Sequence, residues 1–151
     1  MNEGRILAID FGERRIGIAV SDPLRITAQP LPTLMVTNQK NILATLKTLI
    51  SEKNIKEIVV GMPYNLKGDK GVTAQKVEEF IQQLIESFQL PVHSWDERFT
   101  SVVAQRTLRE FGKSPSRNRS KVDQVSALLI LQAFLDRLGF NTKRLECGNM
   151  V

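Results

Sequence analysis

Short apolar runs and amphipathic stretches alternate along the chain. Ile6 to Ile9 is a continuous apolar run that ends in a carboxylate, Asp10. A run of this kind, bounded by a turn signal, reads as a buried strand. Gly12 and Glu13 supply the turn, and Ile16 to Val20 reads as a second strand pairing back on the first. A third extended stretch covers about Ile26 to Val36. Pro30 and Pro32 interrupt it, which points to an edge strand or a bulge. A helix is predicted from Asn38, as N-cap, to Lys53, with Ile42, Leu43, Leu46, Leu49 and Ile50 on one face.

Glu57 to Gly61 then reads as a short buried strand, followed by a loop with Gly68 and Gly71. Val77, Phe80, Ile81, Leu84, Ile85 and Phe88 give the clearest 3.6-residue period in the chain, hence a second helix. Pro91 to Trp95 is another strand, ending in Asp96-Glu97-Arg98. Thr100 or Ser101 can cap a helix to about Phe111. Gly112 to Arg119 is a loop by composition. The last helix starts near Ser120 and runs to Leu138. Its apolar residues (Val122, Val125, Leu128, Leu129, Leu131, Leu135 and Leu138) cover much of the circumference, so it should be well buried; Gly139 stops it.

This order predicts an α/β fold in which an opening antiparallel meander joins parallel strands through crossover helices. At 151 residues the expectation is one domain over residues 1–140, with 141–151 as a loose tail.

Composition adds little until charge is located. Apolar content of 42% and charged content of 25% are ordinary for a globular protein. Between Arg98 and Lys121, however, stand seven basic residues and one acid, Glu110. That is +6 within a chain whose total is +5, so the remainder is close to neutral. A basic patch on a neutral body suits polyanion binding, because Lys and Arg displace counterions from phosphates. Arg14, Arg15, Arg98, Lys113, Arg117, Arg119 and Lys121 are the candidate nucleic-acid contacts. Cys147 is the single cysteine, which excludes an internal disulfide and fits a reducing cytosol. No apolar run approaches the ~18 residues of a membrane span. The N-terminus reaches Asp10 too soon for a signal peptide. The expectation is a cytoplasmic protein away from membranes.

The chemistry is carried by acids at element ends. Asp10 closes the first strand, Asp96 or Glu97 the last, and Asp123 opens the final helix. On such elements they could converge at the carboxyl edge of one sheet, where open α/β sheets place their sites. Clustered carboxylates repel unless a divalent cation neutralises them, and all-oxygen ligation suits Mg²⁺ or Mn²⁺. Two such ions ~4 Å apart can activate water and stabilise the leaving oxygen in phosphodiester hydrolysis. One histidine and one cysteine leave no zinc set. Each acid also has a plain structural reading. Asp10 could make a turn, Ser120 to Asp123 fits a capping box, and Glu97 could pair with Arg98. His93 and Trp95 read as structural.

Four motifs carry a resemblance. Ile9-Asp10-Phe11-Gly12 with Arg15-Ile16-Gly17 and Ser21-Asp22 resembles the opening of the YqgF family, relatives of the RuvC resolvases in the RNase H-like superfamily. Val60-Gly61-Met62-Pro63 with Gly68 resembles its second motif, and Asp96-Glu97-Arg98-Phe99-Thr100-Ser101 its third. Val122 to Ala127 with Ile130-Leu131-Gln132 resembles its last-helix motif. The four occur in family order from about residue 5 to 138.

The resemblance implies an RNase H-like mixed five-stranded sheet with helices on both faces. It implies metal-dependent nuclease chemistry with Asp10, Glu97 and Asp123 as the acids. It also implies a role in 5′-end maturation of the small-subunit ribosomal RNA precursor in bacterial cytoplasm, with Holliday junction resolution as the alternative. One departure matters: RuvC-type resolvases tend to carry a further acid where this chain has Ser126. That position and the lack of an evident dimerising segment favour RNA over DNA junctions, and a monomer.

Two rivals come from other classes. Asp-x-Gly after a strand also opens the phosphate loop of actin-like ATPases, but 151 residues cannot supply the second domain that fold needs. A non-catalytic nucleic-acid-binding module is the other. Bare carboxylates near a phosphate backbone argue against it.

Overall fold

The computed structural model describes residues 4–12, 14–36, 39–63, 71–96 and 125–138. Three strands open the chain: β1 (Arg5–Phe11), β2 (Arg15–Ser21) and β3 (Ala28–Met35). Helix α1 (Gln39–Glu52), strand β4 (Ile55–Met62), helix α2 (Val72–Phe88) and strand β5 (Val92–Asp96) follow. Residues 125–138 form a further helix, α3.

The strands make one sheet in the order β3-β2-β1-β4-β5. β2 pairs antiparallel with β1 and with β3, whereas β4 pairs parallel with β1 and with β5. The predicted fold class is thus the observed one. β3 is an edge strand, as its prolines require. The ladder also slips there, with Ile18 facing Leu31 and Ile16 facing Leu34, so three residue steps on β3 match two on β2. Pro32 sits inside this bulge, where its missing N–H breaks no regular bond.

Strand alternation divides the core in two. Leu7, Ile9, Ile16, Ile18, Ile58 and Val60 point to one face, where Ile42 and Leu46 of α1 and Val77, Phe80 and Leu84 of α2 cover them. Ile6, Ala8, Ala19 and Val59 point to the other, beneath Ala127, Ile130, Leu131, Phe134 and Leu135 of α3. Truncating a fully buried leucine such as Leu46 or Leu84 to alanine costs about 2–5 kcal/mol. The α2 period holds except at Ile85, which falls off the packed face and is 40% exposed.

Left-handed backbone turns close the connections. Gln89 ends α2 in the left-handed region (φ 54°), and its N–H donates to the Ile85 carbonyl. Asn54, between α1 and β4, also has φ 54°, a conformation Asn tolerates better than most residues. No helix among the described residues is long and apolar enough to cross a membrane. The expected N-cap Asn38, the 101–111 helix, the 112–119 loop, the Gly139 stop and the 141–151 tail lie outside the described residues.

Candidate active site

Asp10 is the next-to-last residue of β1 and is partly buried. Its neighbours in sequence hold it from the opposite face. Ile9 is fully buried, and the Phe11 ring lies 4.7 Å from the Phe80 ring of α2. With both neighbours anchored below the sheet, Asp10 shares the α3 face with Ala8 and Ile6.

The strands beside Asp10 carry no side chain at its level. Asp10 pairs with Gly17 of β2. On the other side Ile9 pairs with Val60, so the next residue of β4 in register is Gly61. Both glycines are buried. Any larger residue at either position would project onto the α3 face next to the carboxylate. Neither neighbouring strand thus sets a side chain beside this hard oxygen donor at the carboxyl edge of β1 and β4, a donor type that suits a divalent cation.

Gly12 fixes the turn that follows. A Cβ there would stand 2.5 Å from the Arg15 carbonyl oxygen, a backbone atom that cannot move aside. The β1–β2 turn closes only because residue 12 has no side chain. It places Arg14, which is exposed, and Arg15, which is partly buried, beside the edge where Asp10 sits. The Val36 N–H donates to the Arg14 carbonyl at 2.9 Å and ties this turn to the end of β3.

The alternative acid of the third motif is placed on the other side. Asp96 pairs with Met62, and Met62 belongs to the face covered by α1 and α2. Trp95 pairs with Gly61 and packs on the α3 face. Asp96 and Asp10 thus sit on opposite faces. Glu97, Asp123, Arg98, Lys113, Arg117, Arg119 and Lys121 lie outside the described residues. Among the described residues, no three His, Cys, Asp or Glu side chains gather to hold a metal ion. In α3, Ser126 is 3% exposed and turned into the protein with Ala127.

Asp22, which belongs to the first motif, is far from this edge. It follows the end of β2, which runs antiparallel to β1, and organises a loop. Its carboxylate accepts the backbone N–H groups of Leu24, Ile26 and Thr27. These bonds, the one from Thr27 foremost, hold the Asp22 carboxyl below the usual aspartate pKa. The adjacent Ser21 Oγ is buried and accepts the Ile6 N–H at 2.8 Å. The Ser-Asp pair is thus structural: it joins the end of β2 to the start of β1.

Sequence reading missed a second feature on the α3 face. Glu57, His93, Trp95, Phe134 and Arg137 line an open cleft of about 340 Å³ between β5 and the end of α3. The Arg137 guanidinium carbon lies 5.7 Å from the Trp95 ring centre, and the His93 and Phe134 rings are 5.3 Å apart. His93 and Trp95 alternate along β5. That spacing was the available signal, but only the sheet register puts both rings beside α3.

Comparison with known proteins agrees with this fold. Residues 4–137 match the family RuvX, described as Holliday junction resolvase. A relative from Koribacter versatilis, named "Putative pre-16S rRNA nuclease", is 54% identical over 91% of this chain and 90% of its own length. One of the same name from Moorella thermoacetica is 46% identical over 91% of this chain and 98% of its own. Among solved structures, Thermus thermophilus RuvC in complex with a Holliday junction superposes with a TM-score of 0.54 at 16% identity, covering 90% of this chain and 96% of that one. The fowlpox virus Holliday junction resolvase gives 0.53 at 11% identity, over 89% and 99%. At such identities the two structures establish the fold alone.

Proposed function

This chain belongs to the RuvX (YqgF) family, and on that premise we propose that it is a divalent-metal-dependent nuclease that matures the 5′ end of the small-subunit ribosomal RNA precursor. The observation that carries the reading is Asp10 at the carboxyl edge of β1, flanked on its own face by Gly17 and Gly61. Full-length relatives named for pre-16S rRNA support the substrate class.

In this reading Asp10, Glu97 and Asp123 hold the cation. The pairing of Asp96 with Met62, on the face away from Asp10, counts against Asp96 and so supports Glu97. Mg²⁺ or Mn²⁺, as one or two ions, would supply charge neutralisation and water activation. The chain's own residues do the rest. The buried β1 and β4 fix where the carboxylate stands, and Gly17 and Gly61 put no side chain between it and a phosphate on that face. Arg14, Arg15, Arg98, Lys113, Arg117, Arg119 and Lys121 hold the sugar–phosphate backbone. Phosphate contacts position a strand but cannot specify a base, so these basic side chains favour substrates by strand accessibility and 2′-hydroxyls rather than by sequence.

RNA is favoured over four-way junctions because Ser126 stands where RuvC-type resolvases tend to carry an acid. It is buried on α3, so this face of the helix offers no carboxylate there. The reading takes the chain as a cytoplasmic monomer with one nuclease domain over residues 1–140. Junction resolution remains the second reading, favoured by the family's description. A cleavage panel of precursor RNA, duplex DNA and four-way junctions with Mg²⁺ or Mn²⁺, run beside a size measurement, separates them. A dimer that nicks junctions symmetrically and spares RNA would overturn the RNA assignment.

A further inference from the structure

We propose that the cleft between β5 and the end of α3 is a base-binding subsite that takes one unpaired, amino-bearing nucleobase of the substrate strand; the assignment rests on the nuclease reading above. Its position is the first argument. Trp95 pairs with Gly61, and Gly61 lies beside Asp10 in the register, all on the α3 face. The Trp95 and Asp10 backbones are therefore two strand spacings apart, about 10 Å. A strand with one phosphate at Asp10 reaches this cleft within a few nucleotides. Among the described residues β5 is an edge strand of the sheet, and the cleft lies along it.

Its chemistry is the second argument. Its volume, about 340 Å³, falls at the lower end of the ~300–1,000 Å³ typical of small-molecule sites. The His93 side chain is 44% exposed, and its ring is backed by Phe134 at 5.3 Å. That is a stacking surface, and aromatic rings bind unpaired bases whatever the sequence. Trp95 forms the wall, edge-on to Phe134 at 6.1 Å. Arg137, exposed and held near the Trp95 ring, supplies a cation for the neighbouring phosphate. Glu57 supplies selectivity. The Arg25 guanidinium (3.5 Å) and His93 Nε2 (3.7 Å) both approach its Oε2. Oε1 is the atom assigned to accept the amino group of a base. Cytosine carries such a group where uracil carries a carbonyl, which Glu57 would repel.

Trp95 is the single tryptophan of the chain, so its emission reports on this cleft alone. The test titrates the full-length Asp10→Asn protein, in Mg²⁺, with end-labelled RNA decamers of cytidine or uridine and with an abasic decamer. Label anisotropy reports binding and Trp95 emission reports the cleft. The expected result is saturable quenching by oligo(C), weaker quenching by oligo(U), and none by the abasic strand. Glu57→Gln should narrow the difference between C and U. His93→Ala and Arg137→Ala, both at exposed positions, should each weaken oligo(C) binding about ten-fold. In the otherwise native enzyme the same two substitutions should raise KM and leave kcat in place. Anisotropy changes without any change in Trp95 emission, or equal quenching by the abasic strand, would overturn the subsite and leave the nuclease reading standing. Absence of RNA binding by both signals, together with absence of cleavage by the native protein, would overturn both.

Discussion

Asp10 and Asp96 sit on opposite faces of one sheet, although both close strands at its carboxyl edge. Asp10 pairs with Gly17 under α3, while Asp96 pairs with Met62 on the side of α1 and α2. Asp96→Asn should therefore leave cleavage within a few-fold of the native rate. Glu97→Gln should lower it by orders of magnitude. Single-turnover cleavage of one RNA by both variants decides the point; an inactive Asp96→Asn beside an active Glu97→Gln would reverse the assignment.

Gly12→Ala brings a Cβ to 2.5 Å from the Arg15 carbonyl oxygen. The turn must open to relieve this, at a cost of about 1–3 kcal/mol, comparable to overpacking elsewhere. The melting temperature should fall, and cleavage should fall further than stability, because the displaced segment adjoins Asp10. Thermal unfolding and cleavage rates below the melting range check this. A variant with native stability and native rate would show that the turn does not position the carboxylate.

Asp22 makes stability pH-dependent. Its folded-state pKa is lowered, mainly by the N–H bond from Thr27. A lowered pKa contributes stability that is complete above the unfolded value, about 3.9, and is lost as pH falls through the folded value. Asp22→Asn should flatten the acid side of the melting-temperature profile, and Asp22→Ala should cost about 1 kcal/mol at neutral pH, as loss of a capping carboxylate does. Unchanged acid profiles in Asp22→Asn would contradict the role given to its three backbone bonds.

Replacing Lys113, Arg117, Arg119 and Lys121 with alanine should weaken binding of all sequences alike. The slope of log affinity against log salt should fall by about 0.7 to 0.9 for each phosphate that is no longer neutralised. Affinity measured over a salt series provides the check, and an unaltered slope would remove these residues from the interface.

Much of the fold was legible because local pattern and tertiary environment agree. The run Ile6–Ile9 is buried on both faces, so it reads as a strand without alternation. Pro30 and Pro32 marked an edge because a central strand cannot spare their N–H groups. The site was legible only through Asp10 and its motif. Faces are set by register, and register is a relation between strands. Nothing in the sequence around Asp96 tells that it faces away from Asp10 until Met62 is seen opposite it. Gly61 likewise reads as an ordinary strand-end glycine until β4 is laid beside β1. Asp22 stands in the same motif as Asp10 for a different reason: its carboxylate closes a loop.

Metal-dependent RNA cleavage at Asp10 can be measured in a single assay. Native and Asp10→Asn proteins are incubated with a 5′-extended small-subunit RNA precursor and with a four-way DNA junction, each with Mg²⁺ or Mn²⁺ and with chelator. The account predicts that the native protein shortens the RNA only with the metal, leaves the junction largely intact, and loses cleavage by orders of magnitude in Asp10→Asn while keeping its fold. Near-native RNA cleavage by Asp10→Asn, or by the native protein in chelator, would contradict it.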